Sequence, residues 1–199
     1  MWYIQSISES VKVKFKPIYM SEKILVTYST RTGTTKGVSE EIGKTIASLG
    51  ETVDVLPMSE VTALSGYRAV IAGSAVQSGK WLPEAMDFIR KNRSELNTRP
   101  FAAFLVCMTL AMPKGDHYRD TVSGWLQPVR DQVTTVSEGL FRGALHIKRI
   151  PSFSNRLKFR LSVMFGVWKE GDHREWDAIR SWAMEASGLL NLESKRTGR

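Results

Sequence analysis

Four threonines fall within the six residues Thr30-Arg31-Thr32-Gly33-Thr34-Thr35, between an apolar run ending at Tyr28 and a stretch with helical periodicity. The first N–H groups of a helix have no intrahelical acceptor and sit at the positive end of its dipole. A loop rich in hydroxyls at that position has the chemistry to hold a phosphate dianion. Gly33 lets the backbone turn closely around such an anion. Neither the G-x-G-x-x-G spacing of dinucleotide sites nor the G-x-x-x-x-G-K-[ST] spacing of nucleoside triphosphatases can be recovered here, so a monophosphate is the better ligand. The plainer alternative, a Ser/Thr-rich turn capping a helix, accounts for one or two hydroxyls but not for four.

The elements around this loop must hold it at the end of a strand. Lys23 to Tyr28 reads as a short buried strand, and Val38, Ile42, Ile46 and Leu49 recur on one face of a following helix that ends at Gly50. Thr52 to Leu56 is a second strand closed by Pro57, Arg68 to Gly73 a third, and Phe101 to Val106 a fourth. Pro83 stands at the first turn of a helix through Met86 and Ile89. A further helix through Val122, Trp125, Val129 and Val133 leads to a fifth strand near Gly139 to Leu145. Trp176, Ile179, Trp182, Ala183, Ala186 and Leu190 mark a last helix that packs back onto the sheet. Strands alternating with helices specify an α/β fold, a doubly wound five-stranded parallel sheet with helices on both faces. In such sheets ligands bind at the carboxyl ends of the strands, which is where the threonine loop falls.

Composition bounds the rest. The chain has 199 residues, 42% of them apolar and 24% charged, a formal net charge of +8 and a single cysteine, Cys107. One domain is expected over 21–199, preceded by an extension over 1–20 that the fold does not require; Met20 before Ser21-Glu22-Lys23 reads as an alternative translation start. No intrachain disulfide can form, no cysteine-based metal site is supported, and a reducing cytoplasm fits best. The longest apolar runs fall short of the roughly 20 residues that cross a bilayer.

Thr30-x-Thr32-Gly33-x-Thr35, following a strand that ends in Tyr28, resembles the flavodoxin phosphate loop T-x-T-G-x-T at every defined position. The resemblance implies a flavodoxin-like fold that holds FMN without a covalent bond. It also implies that the isoalloxazine lies between the loops after the third and fourth strands: Ser74-Ala75-Val76-Gln77-Ser78-Gly79-Lys80-Trp81, and Cys107, Met108 and Thr109 continuing to Tyr118. Trp81 or Tyr118 could stack on the ring, and Trp81 could equally be a core aromatic. Cys107 reads as a buried small hydrophobe, not a redox thiol. Lys80, Lys114 and His117 flank the expected ring; as cations they would favour an anionic reduced flavin and raise its potential, or they are solvated loop charges. His117 is the nearest candidate for proton transfer.

Between Arg142 and Glu170 the chain carries seven Lys and Arg against one carboxylate, Glu170. Phe153, Leu157, Leu161, Met164, Phe165 and Trp168 form an apolar stripe there with Arg156, Lys158 and Arg160 at its margins. Such an amphipathic segment either lies on an anionic membrane surface or packs on the sheet. Plain flavodoxins have no insertion at about 147–170. The segment, with Tyr28-Ser29-Thr30-Arg31, Gly143-Ala144-Leu145 and Gly171-Asp172 before a Trp-containing helix, resembles the menaquinone-dependent protoporphyrinogen oxidase group of the flavodoxin superfamily. That resemblance spans Lys23 to Leu190 and implies an FMN-dependent oxidoreductase of heme biosynthesis. It would take reducing equivalents from protoporphyrinogen IX or a similar reduced substrate and pass them to a quinone, in the cytoplasm or at the inner face of the cell membrane. Ile147-Lys148-Arg149-Ile150-Pro151 is less aromatic than that group implies, which leaves the substrate open. The alternatives are a soluble electron carrier docking an acidic redox protein and an interaction module without redox activity. Nucleic-acid binding lacks any reading motif, and a homo-oligomer stays open.

Overall fold

The computed structural model describes residues 23–150 and 152–196; the extension expected over 1–20 lies outside them. Five parallel strands form the sheet: β1 (Ile24–Ser29), β2 (Val53–Pro57), β3 (Ala69–Gln77), β5 (Phe101–Cys107) and β6 (Ser137–Arg142), in the order β2-β1-β3-β5-β6. The two-residue β4 (Lys80–Trp81) pairs antiparallel with the end of β3. This order is that of flavodoxin-like doubly wound sheets. The helices are α1 (Thr34–Ser48), α2 (Pro83–Lys91), α3 (Arg93–Leu96), α4 (Arg119–Gly124), α5 (Gln127–Arg130), α6 (Phe153–Met164) and α7 (Trp176–Arg196).

All six residues of β1 are buried, as a strand covered on both faces requires. Its side chains alternate between two cores. Ile24 and Val26 pack with Val38, Ile42 and Ile46 of α1 and Ile179, Ala183 and Leu190 of α7. Leu25 joins the opposite core with Ala85 and Ile89 of α2 and Val122, Leu126 and Val129 from the α4–α5 segment. The last helix therefore returns to the sheet as its periodicity predicts, and Trp182 closes the contact edge-on to Phe104 and Phe141, with centroids 5.9 and 5.4 Å away.

Two elements differ from the sequence reading. The single helix expected through Val122 to Val133 is two short ones, because Pro128 lacks the N–H that would continue the ladder and sits in the first turn of α5. The fifth strand expected near 139–145 begins at Ser137 and leaves the sheet at Gly143, whose N–H still donates to the Cys107 carbonyl at 2.9 Å. The chain then forms β7 (Ala144–Leu145), which pairs with β8 (Gly171–Asp172) in a separate two-stranded ribbon. The segment 147–170 is thus inserted between the two strands of a small hairpin at the carboxyl end of the sheet.

Candidate functional site at the carboxyl ends of the strands

The threonine loop joins the end of β1 to the start of α1. Gly33 is the N-cap residue with φ 84°, a left-handed conformation that L side chains rarely adopt. No side chain caps this helix, and its first turn contains no acidic residue. The ladder begins with Gly37 N–H donating to the Gly33 carbonyl at 3.1 Å, so the N–H groups of Thr34, Thr35 and Lys36 have no intrahelical acceptor. Thr30 Oγ1 accepts from Gly33 N–H at 3.2 Å and shapes the loop from within. Thr32 and Thr34 hydroxyls lie 3.4 Å apart, and the Thr34 hydroxyl is 3.5 Å from the Ala144 carbonyl. Thr35 is wholly buried, and its Oγ1 has no hydrogen-bond partner. A buried hydroxyl is normally satisfied. Orphaned here beside free backbone N–H groups, it fits a loop built around an anion that completes it, and the residues present suit a flavin phosphate.

Arg31 takes a different place from its neighbours. Its guanidinium forms a two-armed ion pair with Glu84 in the first turn of α2, and the same carboxylate accepts from the Ser29 hydroxyl at 2.9 Å. Burial alone would raise the Glu84 carboxyl. The bonds from Arg31, from its own backbone N–H and from Ser29 outweigh this and hold it below the usual value. Arg31 thus ties the loop to α2, where the sequence grouped it with the phosphate ligands.

A second cation beside α1 escaped the sequence reading. Arg174 is held by Asp172, with Nε to Oδ1 at 2.8 Å and Nη2 to Oδ2 at 2.6 Å, and lies over the Trp176 ring at 4.2 Å. Its Nη1 stands 2.5 Å from where a Cβ on Gly37 would be. The bond from Arg174 holds the Asp172 carboxyl below its ordinary value despite partial burial. A cation at a helix N-terminus opposes the dipole, an arrangement that an intervening anion reverses. The signal available in the sequence was Gly37 together with Asp172-x-Arg174-x-Trp176.

The loop after β3 is a tight hairpin. Ser78 (φ 51°) and Gly79 (φ 72°) occupy its two corner positions, and Gln77 pairs with Lys80 and Val76 with Trp81. The Ser74 hydroxyl, fully buried, accepts from Leu82 N–H at 3.1 Å and donates to the Ala75 carbonyl, pinning the hairpin to the strand. Val76 and Ala75 pack against the core; Gln77, Ser78 and Lys80 are exposed. Trp81 is only 4% exposed and belongs to the core, so of its two readings the structure favours the core aromatic. The aromatic that meets the hairpin is Trp125, whose Nε1 lies 3.1 Å from a Cβ position on Gly79. Its spacing with Val122 and Val129 read as core, and no sequence signal separated it from them.

The loop after β5 leaves the same end of the sheet from the strand next to β3. The Cys107 thiol is buried, and burial pushes it up against hydrogen bonds from Leu110 and Thr109 that lower it. It is a packing residue, not an activated thiol. Met108 packs under the inserted segment, and Thr109 begins a short 3₁₀ turn. Tyr118, 43% exposed, is the accessible aromatic of this loop. Lys114 takes φ 60°, and the His117 ring Nδ1 sits 3.2 Å from the Lys114 carbonyl. A carbonyl only accepts, so Nδ1 is the donor in that contact. Arg142 anchors the loop through Asp116 at 3.3 Å and Glu175 at 3.2 Å.

On the far side of β1, no full helix connects β2 to β3. A cavity of about 560 Å³ opens there between Tyr28, Met58, Val61, Glu84, Phe88 and Lys91. It touches the threonine loop at Ser29 and Thr30 but lies away from the two ring loops, so it is not the expected ring position.

The chain belongs to the flavodoxin domain family, whose model matches residues 25–170. It resembles a protoporphyrinogen IX dehydrogenase [quinone] from Leishmania major, 27% identical over 178 residues that cover 85% of this chain and 76% of that protein. The protein of the same description from Escherichia coli (strain K12) is 24% identical over 85% of this chain and 97% of its own length. Among solved structures, a flavodoxin from the domain Archaea superposes with a TM-score of 0.51 at 16% identity, covering 85% of this chain and 99% of its own. Flavodoxin 2 from Bacillus cereus gives 0.52 at 17%, covering 83% and 97%. At such identities these structures speak for the fold alone. The family and the donor set of the loop together indicate a flavin as the cofactor. No helix among the described residues is long and apolar enough to cross a membrane.

Proposed function

We propose that this protein is an FMN-dependent oxidoreductase that takes two electrons and two protons at a time from protoporphyrinogen IX, or a similar reduced substrate, and delivers them to a quinone. The observation that carries the reading is the unsatisfied N-terminus of α1, with Gly33 left-handed and the Thr35 hydroxyl buried without a partner. Relatives matched over 85% of the chain and named for that reaction support the substrate and the acceptor.

The N–H groups of Thr34, Thr35 and Lys36 and the hydroxyls of Thr30, Thr32, Thr34 and Thr35 hold the phosphate. Ser74 to Trp81 and Cys107 to Tyr118 supply the walls of the ring site, with the hairpin corner Ser78-Gly79 allowing close approach. FMN supplies the two-electron chemistry when bound; the protein orients it and sets its electrostatics. Lys80 and Lys114 place positive charge at the rim, and the exposed His117 beside them is the residue suited to take up or return a proton. A soluble flavodoxin-type carrier is the second reading, favoured by the fold taken by itself. Absorbance of the purified protein titrated with FMN, then with protoporphyrinogen and a menaquinone analogue, tests the proposal: bands that bleach with the first and return with the second support it, and FMN bands indifferent to both leave the carrier.

A further inference from the structure

The inserted helix α6 has two faces. Ser152 caps its start, its hydroxyl accepting from Asn155 N–H at 3.4 Å. Gly166, at φ 72°, ends it: Gly166 N–H donates to the Val163 carbonyl and Val167 N–H to the Ser162 carbonyl, at 3.0 and 2.9 Å. Phe159 and Val163 turn inward onto Leu145, Ile147 and Ile150, a cluster that Met108 also packs against, and Trp168 joins them there, outside the outward stripe where its spacing had placed it. At about 100° per residue the opposite side presents Phe153, Leu157, Leu161 and Met164 within a sector of roughly 80°. No residue of α6 is buried.

The exposure is large and local. Phe153 is 79% exposed, Phe165 74% and Met164 69%, and six of the ten exposed large apolar side chains among the described residues lie between Phe153 and Val167. Scattered apolar residues are ordinary on a protein surface; a contiguous group this size marks a contact. Arg156 and Arg160 border the apolar sector on one side and Lys158 on the other, with Lys148, Arg149 and Lys169 at the helix's two ends. No carboxylate pairs with any of these six cations among the described ion pairs. An acidic protein partner would account for the charges but not for a row of aromatic and aliphatic side chains between them. A surface with anionic head groups above an apolar interior accounts for both.

We infer that α6 and the turn through Val167 lie on an anionic lipid bilayer, with Phe153, Leu157, Leu161, Met164 and Phe165 in the acyl boundary and the flanking Lys and Arg among the lipid phosphates. Because Phe159 and Val163 seat α6 on the Leu145, Ile147 and Ile150 cluster that Met108 also packs against, the bilayer side of the molecule is the side of the loop after β5. The inference deepens the oxidoreductase reading by giving its quinone a lipid phase to arrive from, and it is tested without reading turnover.

Flotation of the full chain loaded with FMN, on vesicles of phosphatidylcholine alone or of equal parts phosphatidylcholine and phosphatidylglycerol, is the experiment. The protein should float with the anionic vesicles, less with the neutral ones, and less again at high salt. F153S/M164S and K158E/R160E, all at exposed positions, should each reduce the bound fraction by about an order of magnitude while keeping the parent's circular dichroism. The inference is overturned if the protein stays in the soluble fraction, if both variants float as well as the parent, or if F153S/M164S instead converts a dimer to a monomer. Flavin absorbance in each fraction keeps the two readings apart: floating without bound FMN overturns the oxidoreductase alone, and binding FMN without floating overturns the membrane surface alone.

Discussion

Arg174, clamped by Asp172 and stacked over Trp176, lies directly against Gly37 in the first turn of α1, so that a side chain at Gly37 would occupy the place of its guanidinium. The pair brings a cation from the far end of the chain to the N-terminus of the helix that follows the threonine loop. Two substitutions should therefore act alike. R174Q removes the charge and G37A displaces it, and each should weaken FMN binding about fivefold at low ionic strength, with the loss shrinking as salt screens the charge. Fluorescence titration of FMN at two salt concentrations checks this; equal affinities in the parent and both variants would remove Arg174 from the site.

Thr35→Val replaces an orphaned hydroxyl by a methyl of nearly the same shape. Because the hydroxyl has no partner in the protein alone, stability without FMN should be unchanged or slightly higher. FMN affinity should fall by about 1.5–3 kcal/mol, the range for a hydrogen bond to a charged group. Thermal melts and FMN titrations of one preparation separate the two effects.

Gly33→Ala places a Cβ on a residue at φ 84°, where nothing in the surroundings obstructs it, so the cost is conformational. A loss of about 1–2 kcal/mol in urea unfolding is expected from the left-handed backbone. A neutral result would mean that the loop relaxes to another conformation.

The Arg31–Glu84 pair gives stability a definite pH dependence. Glu84 has a lower carboxyl pKa in the folded protein than in the unfolded chain. Its contribution is therefore complete above the unfolded value and is lost as pH falls through the folded one. In E84Q the acid side of the stability profile should be flatter, with little change near neutrality beyond the loss of the pair, and chemical denaturation across the acid range measures it. Both side chains are more than 40% exposed, so the effect is small.

The parallel sheet was legible because each strand is a short apolar run and each helix keeps its stripe at helical spacing. The threonine loop was legible for a different reason: its chemistry is local, carried by neighbours in sequence. What escaped depends on residues that meet only in space. Trp81 and Trp125 look alike as isolated aromatics, and only the Ser78-Gly79 corner shows that the first turns into the core and the second onto the hairpin. Arg174 reaches α1 because β8 pairs with β7, a ribbon two residues long that no periodicity announces. The stripe on α6 was visible, but its two faces were not, since Phe159 and Val163 differ from Leu157 and Leu161 only in what lies beneath them.

The most direct test of the central claim is the absorbance titration of the purified protein with FMN, comparing the parent with Thr35→Val. Saturable binding with a shifted flavin spectrum is expected in the parent, and a clear loss of affinity in the variant. Absence of FMN binding, or identical binding in both, would contradict the assignment of the Thr30–Thr35 loop as the phosphate site.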